Sequence, residues 1–345
     1  MLSVFSKIFE KLIHKELTEF LKSNKILSDS QYGFRKNHST LHALINATEN
    51  LYQSIDNKKF TLGIFVDFSK AFDTVNHAIL LEKLDNYGIR GNLLDLLTSY
   101  LTDRKQYVNY GGLNSTLLTL TCGVPQGSVL GPLFFILFIN DICNVSTLGK
   151  YVLFADDLNI FLSNSDRYSL YINANYVLLK IYEYCLANKL IINYEKCCFM
   201  EFSNLGQQNE PPMVLGIHNN KFKYVKECKF LGVIFNERLT WSDQIKHVIN
   251  QVSKSCGIMY TAKNYVPLKI LRKIYMALIQ PYIMYCAPLW CSSKNSEEIK
   301  KLFILQKKCI RIVCNKTALL NGTFQHTKPL FSNLKFLTFL TYIHI

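Results

Sequence analysis

A chain of 345 residues, 49% of them hydrophobic, is too long for a minimal domain; it fits one large or two medium units with ample core. Its formal net charge of +14 points toward polyanionic partners. No run of 18 apolar residues exists, and charge alternates with apolar residues from Ser6 onward, which argues against a helical membrane span and a signal peptide.

The charge is uneven. Residues 241–345 hold fifteen Lys and Arg against Asp243, Glu297 and Glu298, so this third carries +12 of the +14. A solvated basic surface accounts for any single lysine, but a five-to-one excess is better explained by a phosphate-backbone partner. The eleven cysteines are odd in number and sit mainly in apolar runs, as reduced thiols of an intracellular protein would. Cys286/Cys291 and Cys309/Cys314 invite a zinc site, but at that spacing on a helix the side chains point apart and no His pair completes the set.

In chain order, Phe5, Ile8, Phe9, Leu12, Ile13 and Leu17 recur at helical spacing and predict an amphipathic helix over 2–22. A polar, turn-rich stretch follows from Ser28 to Thr40, with Gly33 between two aromatics. Arg35 there is either a surface charge flanking a helix or a contact to a nucleic-acid phosphate. Ser39 or Thr40 can cap a helix over Leu41–Ile55. Phe60–Val66 reads as a buried strand ending in Asp67, a costly place for a charge unless something pairs with it. Helices are expected over Ala78–Tyr87 and Leu93–Leu101, then a hairpin over 106–121 around Gly111-Gly112. The loop Cys122–Pro132 is tight: Gly127 lets a backbone come close to a ligand and Gln126 offers an amide, ahead of an apolar helix near Val129–Ile139.

The stretch Tyr151–Leu162 reads as two short strands around Phe154-Ala155-Asp156-Asp157. Two carboxylates at one turn repel unless a cation sits between them, and hard oxygen ligands suit Mg²⁺ or Mn²⁺. A turn that needs acids only for its backbone geometry is the alternative. A long helix over Arg167–Asn188, a strand at Cys198–Phe202, turns at 205–216 and a strand over Lys229–Phe235 come next. From Trp241 the pattern is helical: 241–260, 267–280 with a break at Pro281, and 295–313. The shift to basic all-α sequence divides the chain into 1–236 and 237–345.

Asp67 with Lys-Ala-Phe-Asp73, then Gly123-Val-Pro-Gln-Gly-Ser-Val-Leu-Gly-Pro132, Phe154-Ala-Asp-Asp157, Asn193-Tyr-Glu-Lys196 and Phe230-Leu-Gly-Val233 resemble the ordered motifs of a reverse transcriptase. The wording, with Gln31-Tyr-Gly-Phe-Arg35, is similar to the Jockey-like branch of non-LTR (LINE-type) retrotransposons. The resemblance implies an α+β right-hand polymerase: a palm with a small antiparallel sheet and packed helices, remnant fingers within 1–236, and a helical thumb. It implies two Mg²⁺ ions, with Mn²⁺ as a substitute, held by Asp67, Asp156 and Asp157. It implies an RNA template, a DNA primer and deoxynucleoside triphosphates as partners, without a membrane, in cytoplasm and nucleus. By the same resemblance Lys70 and Ala71 meet the triphosphate, Phe72 is a steric gate against a 2′-hydroxyl, Gln126 lies under the incoming nucleotide and Lys196 protonates the leaving pyrophosphate. Gly127 and Arg35 meet nucleic acid, and Phe230–Phe235, with Leu231 and Gly232, forms the primer grip. Family members carry a basic fingers hairpin ahead of the region matching Leu2–Ile13. The expectation is therefore an N-terminally truncated piece, with a copy that binds RNA or primer-template without polymerising as the alternative to an active polymerase.

Overall fold

The computed structural model describes residues 3–125, 127–202, 212–291, 296–314, 319–320, 323–324, 326–334 and 338. The chain divides into two compact units, Met1–Val225 and Lys226–Ile345. The division falls ahead of the 236/237 boundary placed by composition, so the Phe230–Phe235 stretch belongs to the second unit.

Five strands make the first unit's sheet: β1 (Phe60–Val66), β2 (Lys150–Phe154), β3 (Asp157–Asn164), β4 (Cys198–Phe202) and β5 (Lys223–Tyr224). Their order is β5-β4-β1-β3-β2, antiparallel except for β5 on β4. The central strand β1 is buried from Thr61 to Val66 because helices cover both of its faces. Its alternate residues Leu62, Ile64 and Val66 enter the main core. That core also takes residues from α1 (Val4–Ser23), α3 (His77–Asn86), α4 (Asn92–Leu101), α5 (Gly131–Ile139) and α6 (Arg167–Ala187). The helix α2 (Thr40–Asp56), capped by Ser39 through the His42 N–H, packs on β1, β2 and β3 with Ala43, Leu44, Ala47 and Leu51 buried. Gly63 leaves room for two rings: a Cβ there would lie 2.8 Å from the Phe202 ring and 3.3 Å from that of Phe161.

Two sequence expectations need correction. Of the six apolar residues at helical spacing in α1, Ile13 and Leu17 are buried, with Glu10 and Leu21, while Phe5, Ile8, Phe9 and Leu12 are exposed. Glu10 takes an inner position because its carboxylate has work there: Oε2 accepts the Val129 and Leu130 N–H groups at 2.6 and 3.3 Å, ahead of α5, and Oε1 accepts the Tyr100 hydroxyl at 3.1 Å. The first N–H groups of a helix have no partner within it, and a carboxylate meets them with favourable charge. In α5 all of Leu133–Ile139 is buried, worth about 1.5–3 kcal/mol for each large side chain.

The second correction concerns Lys229–Phe235, which is a hairpin, β6 (Glu227–Phe230) and β7 (Val233–Asn236), rather than one strand. Its turn is Leu231-Gly232, both left-handed at φ 44° and 84°. Behind it run α7 (Ser242–Ala262), α8 (Leu268–Leu278), α9 (Gln280–Met284), α10 (Ala287–Trp290), α11 (Ser296–Val313) and α12 (Lys328–Leu334), with Pro281 in the first turn of α9 as the break at that residue required. Among the described residues, no helix is long and apolar enough to cross a membrane and no group of three or more His, Cys, Asp or Glu is gathered to hold a metal ion. Between α4 and the loop at Cys122 stands a narrow ribbon in which Lys105–Gln106 pairs with Leu118–Thr119 and Asn109–Tyr110 with Leu113–Asn114, every paired residue exposed.

Candidate active site

The register of β1 on β3 brings the three aspartates to one edge of the sheet. Val66 lies opposite Leu158, so Asp67, one residue on, comes level with Asp157 at the start of β3. Asp157 in turn pairs with Phe154 across the β2–β3 hairpin, leaving Ala155-Asp156 as its two-residue tip. Ala155 takes a left-handed φ of 58° to make that tip.

A loop from the far side of β1 fastens Asp67. The Asn193 N–H donates to the Asp67 carbonyl at 2.8 Å, the Ser69 N–H donates to the Ile191 carbonyl at 2.8 Å, and the Asp67 N–H reaches Cys197 Sγ at 3.4 Å. This lays Asn193–Lys196 beside the carboxylate and puts Lys196 Nζ 3.5 Å from Asp67 Oδ2. That oxygen is buried and accepts no hydrogen bond. The Asp157 carboxyl is pushed up to about 6, first by desolvation and then by the charges of Asp156 and Asp67. An Asp157 carboxyl raised in part by two neighbouring carboxylates, beside an Asp67 oxygen that accepts no hydrogen bond, belongs to a hard donor set suited to a divalent cation. They stand as neighbours rather than as a closed shell, since no metal-holding cluster forms among the described residues.

The chain beyond Asp67 turns sharply. Lys70 is exposed and left-handed at φ 48°, and caps a short 3-10 turn over Ala71–Asp73 in which Ala71 is buried. The Phe72 ring stacks on Phe135 of α5 at 4.3 Å and 23° between planes, and meets Phe34 edge-on at 6.1 Å. Its carbonyl accepts the Val124 N–H at 2.9 Å, and the Gly123 N–H donates to the Val75 carbonyl at 2.8 Å. A Cβ on Gly123, left-handed at φ 85°, would meet the Asp73 carbonyl oxygen at 2.9 Å. The Cys122–Pro132 loop therefore lies directly against the 72–75 turn, with the His77 ring hydrogen-bonded to the Gly123 carbonyl at 2.7 Å. Gly127, left-handed at φ 76°, faces open space, while Gln126 lies outside the described residues.

Arg35 turns inward on its own loop, where Nη1 donates to the Ser28 and Gln31 carbonyls at 2.6 and 3.0 Å. Gly33 lies so close to the hairpin that a Cβ would meet the Ala155 nitrogen at 2.2 Å. Leu231 and Gly232 sit at the β6–β7 turn of the second unit. Glu10 escaped the sequence reading altogether; its one signal was a carboxylate at the spacing that Ile13, Leu17 and Leu21 share.

Against known proteins, the family described as "Reverse transcriptase (RNA-dependent DNA polymerase)" matches residues 1–235. A probable RNA-directed DNA polymerase from transposon BS of Drosophila melanogaster is 27% identical over 94% of this chain and 37% of that protein. The RNA-directed DNA polymerase from mobile element jockey of the same organism is 25% identical over 90% of this chain and 34% of that protein. The chain thus spans little more than a third of the curated relatives it matches. Among solved structures, an apo telomerase from Candida tropicalis superposes with a TM-score of 0.50 and 12% identity over 88% of this chain and 49% of that one, a likeness of fold alone. The ordered motifs, the sheet edge that gathers Asp67, Asp156 and Asp157 and the family match agree: this α+β chain, with the fold of a right-hand polymerase, belongs to the reverse transcriptase (RNA-dependent DNA polymerase) family.

Proposed function

We propose that this chain carries the RNA-directed DNA polymerase activity of a non-LTR mobile element, adding deoxynucleotides to a primer 3′-hydroxyl on an RNA template. The observation that supports it most is the convergence of Asp67, Asp156 and Asp157, where Asp157 is raised to about 6 partly by its two neighbours. These three would hold two Mg²⁺ ions, with Mn²⁺ able to replace them. Such a pair lowers the pKa of an attacking oxygen and neutralises charge on the attacking and leaving oxygens of an in-line displacement.

The chain's own residues supply positioning. Phe72, braced by Phe135, would lie beneath the incoming sugar. Lys70 and the buried Ala71, at the turn after Asp67, would meet the triphosphate through side chain and backbone. Gln126 would lie under the incoming base. Lys196, 3.5 Å from Asp67 Oδ2 through its Nζ, would give a proton to the departing pyrophosphate. Gly127 would let the template approach closely, Arg35 would contact a phosphate with its remaining donors, and Leu231-Gly232 would carry the primer end. In this reading 1–236 forms palm and fingers and 237–345 a basic thumb.

A second reading, a chain that binds RNA or primer-template without polymerising, is favoured by the open spacing of the three carboxylates. One substitution separates the two. Under the first reading Asp156→Asn abolishes primer extension while leaving RNA binding nearly unchanged. Wild-type binding without extension supports the second, and near-normal extension by Asp156→Asn sinks the carboxylate assignment.

A further inference from the structure

Gln31 is 1% exposed, and its polar groups are committed to the loop it shares with the Asp156-Asp157 hairpin. Its Oε1 accepts the Ala155 N–H at 3.0 Å and the Gly33 N–H at 2.8 Å, and Nε2 donates to the Ala155 carbonyl at 3.4 Å. The backbone on either side completes the attachment. The Tyr32 N–H donates to the Leu153 carbonyl at 2.8 Å, and the Leu153 N–H to the Ser30 carbonyl at 2.8 Å. Gly33 closes the approach, since any side chain there would strike the Ala155 nitrogen.

Ala155 needs such a hold. With φ at 58° it occupies a region that residues bearing a Cβ adopt only when their surroundings enforce it. The Ala155 carbonyl belongs to the same peptide plane as the Asp156 nitrogen. A side-chain amide that engages both N–H and C=O of Ala155 therefore fixes the plane from which Asp156 departs. A buried amide with one acceptor and one donor arm of this length can do so. Alanine offers neither arm and glutamate offers the acceptor alone.

We propose that Gln31 is a positioning residue, clamping left-handed Ala155 so that Asp156 and Asp157 are presented together at the sheet edge. It touches no reacting atom and acts only through the hairpin. The proposal rests on the reading of Asp67, Asp156 and Asp157 as cation ligands.

The test uses the whole chain as wild type, Gln31→Ala, Gln31→Glu and, as a stability control, Leu84→Ala in α3. Hydrogen exchange without metal is followed in the peptide covering 151–160. Binding of Mn²⁺ is followed by the loss of its free electron-spin-resonance signal, and primer extension by kcat and KM for the deoxynucleotide. Loss of a residue that orients ligands costs about tenfold to a hundredfold in affinity or rate. Gln31→Ala should therefore speed exchange in 151–160 beyond the control, weaken Mn²⁺ binding by about tenfold or more and lower kcat with KM little changed. Gln31→Glu, which keeps the acceptor, should restore protection of the Ala155 N–H. Exchange and Mn²⁺ binding of Gln31→Ala equal to those of Leu84→Ala would overturn the proposal. Should Gln31→Ala fail to fold, Gln31→Glu decides: an Ala155 N–H exchanging as in an unstructured peptide overturns it too. A wild-type chain that binds Mn²⁺ without extending a primer defeats the polymerase reading and leaves the exchange and Mn²⁺ comparisons to judge Gln31.

Discussion

Tyr285 closes over the turn of the β6–β7 hairpin: its hydroxyl donates to the Leu231 carbonyl at 2.6 Å, and its ring would lie 3.1 Å from a Cβ on Gly232. Trp290 Nε1 in turn donates to the Tyr285 carbonyl at 3.0 Å. The two contacts with the turn separate by mutation. Tyr285→Phe removes one hydrogen bond and keeps the ring, so it should cost about 0.5–1.5 kcal/mol. Gly232→Ala strains a left-handed position and crowds the ring, so it should cost more, about 1–3 kcal/mol. Urea unfolding of the two variants checks the order; a milder Gly232→Ala would mean that the turn is held some other way.

Asp157 sets a pH dependence whose sign is fixed by its raised pKa. The folded carboxyl binds its proton up to about 6, against an ordinary 3.8, so the folded state holds more proton than the unfolded one between these values. Stability therefore falls as pH rises through that window in metal-free protein. Asp157→Asn should raise the melting temperature at pH 7.5 and leave it unchanged at pH 4. Mg²⁺ should stabilise the wild type at pH 7.5 more than the variant. A melting temperature for Asp157→Asn at or below wild type at pH 7.5, without metal, would contradict the repulsion.

Phe72 carries the sharpest functional prediction. A ring stacked on Phe135 and edged by Phe34 is a rigid floor, and a 2′-hydroxyl pressed into it costs on the order of 1–3 kcal/mol. Phe72→Val in the complete enzyme should therefore reduce discrimination against ribonucleotides by about tenfold to a hundredfold while DNA synthesis falls modestly. The same change also removes the aromatic stack, worth about 0.5–1.5 kcal/mol beyond area. The ratio of incorporation efficiencies is the deciding quantity. Were it unchanged while both substrates fell together, Phe72 would be a core residue alone.

The basic helices predict a salt dependence. Lys254, Lys269 and Lys273 are exposed in a stretch with no acid between Asp243 and Glu297. If they neutralise phosphates, changing all three to Gln should flatten the log–log dependence of primer-template binding on salt by up to about 0.9 for each phosphate left unneutralised. Parallel slopes for variant and wild type would assign this charge to another task.

Much of the first unit was legible because its elements follow local rules. The apolar run of β1, the Ser39 cap on α2 and the apolar sequence of α5 each decide their own fate. What escaped was set by partners distant in the chain. Glu10 is buried because its carboxylate accepts the N–H of Val129, 119 residues later and just ahead of α5, a pairing that no periodicity in α1 contains. The β6–β7 turn was hidden because it sets a leucine at φ 44°, where asparagine or aspartate would have announced it. At the site, motif order named the three aspartates. The ion pair of Lys196 with Asp67 depends on the antiparallel bridge between Phe68 and Ile192, a pairing across more than 120 residues.

The exposed ribbon around Tyr107–Leu118 has a consequence for how the chain can be cut. It falls between Asp67 and the Asp156-Asp157 hairpin in sequence, and its tyrosines and leucines stand in reach of a protease. A nick there would place the acidic residues on separate polypeptides, yet seven paired positions of β1 and β3, the Phe72–Phe135 stack and the bonds that Glu10 accepts from Val129 and Leu130 all run across the break. The two pieces are thus built to stay together as a non-covalent whole, and this ribbon is the natural place to divide the protein into complementing halves.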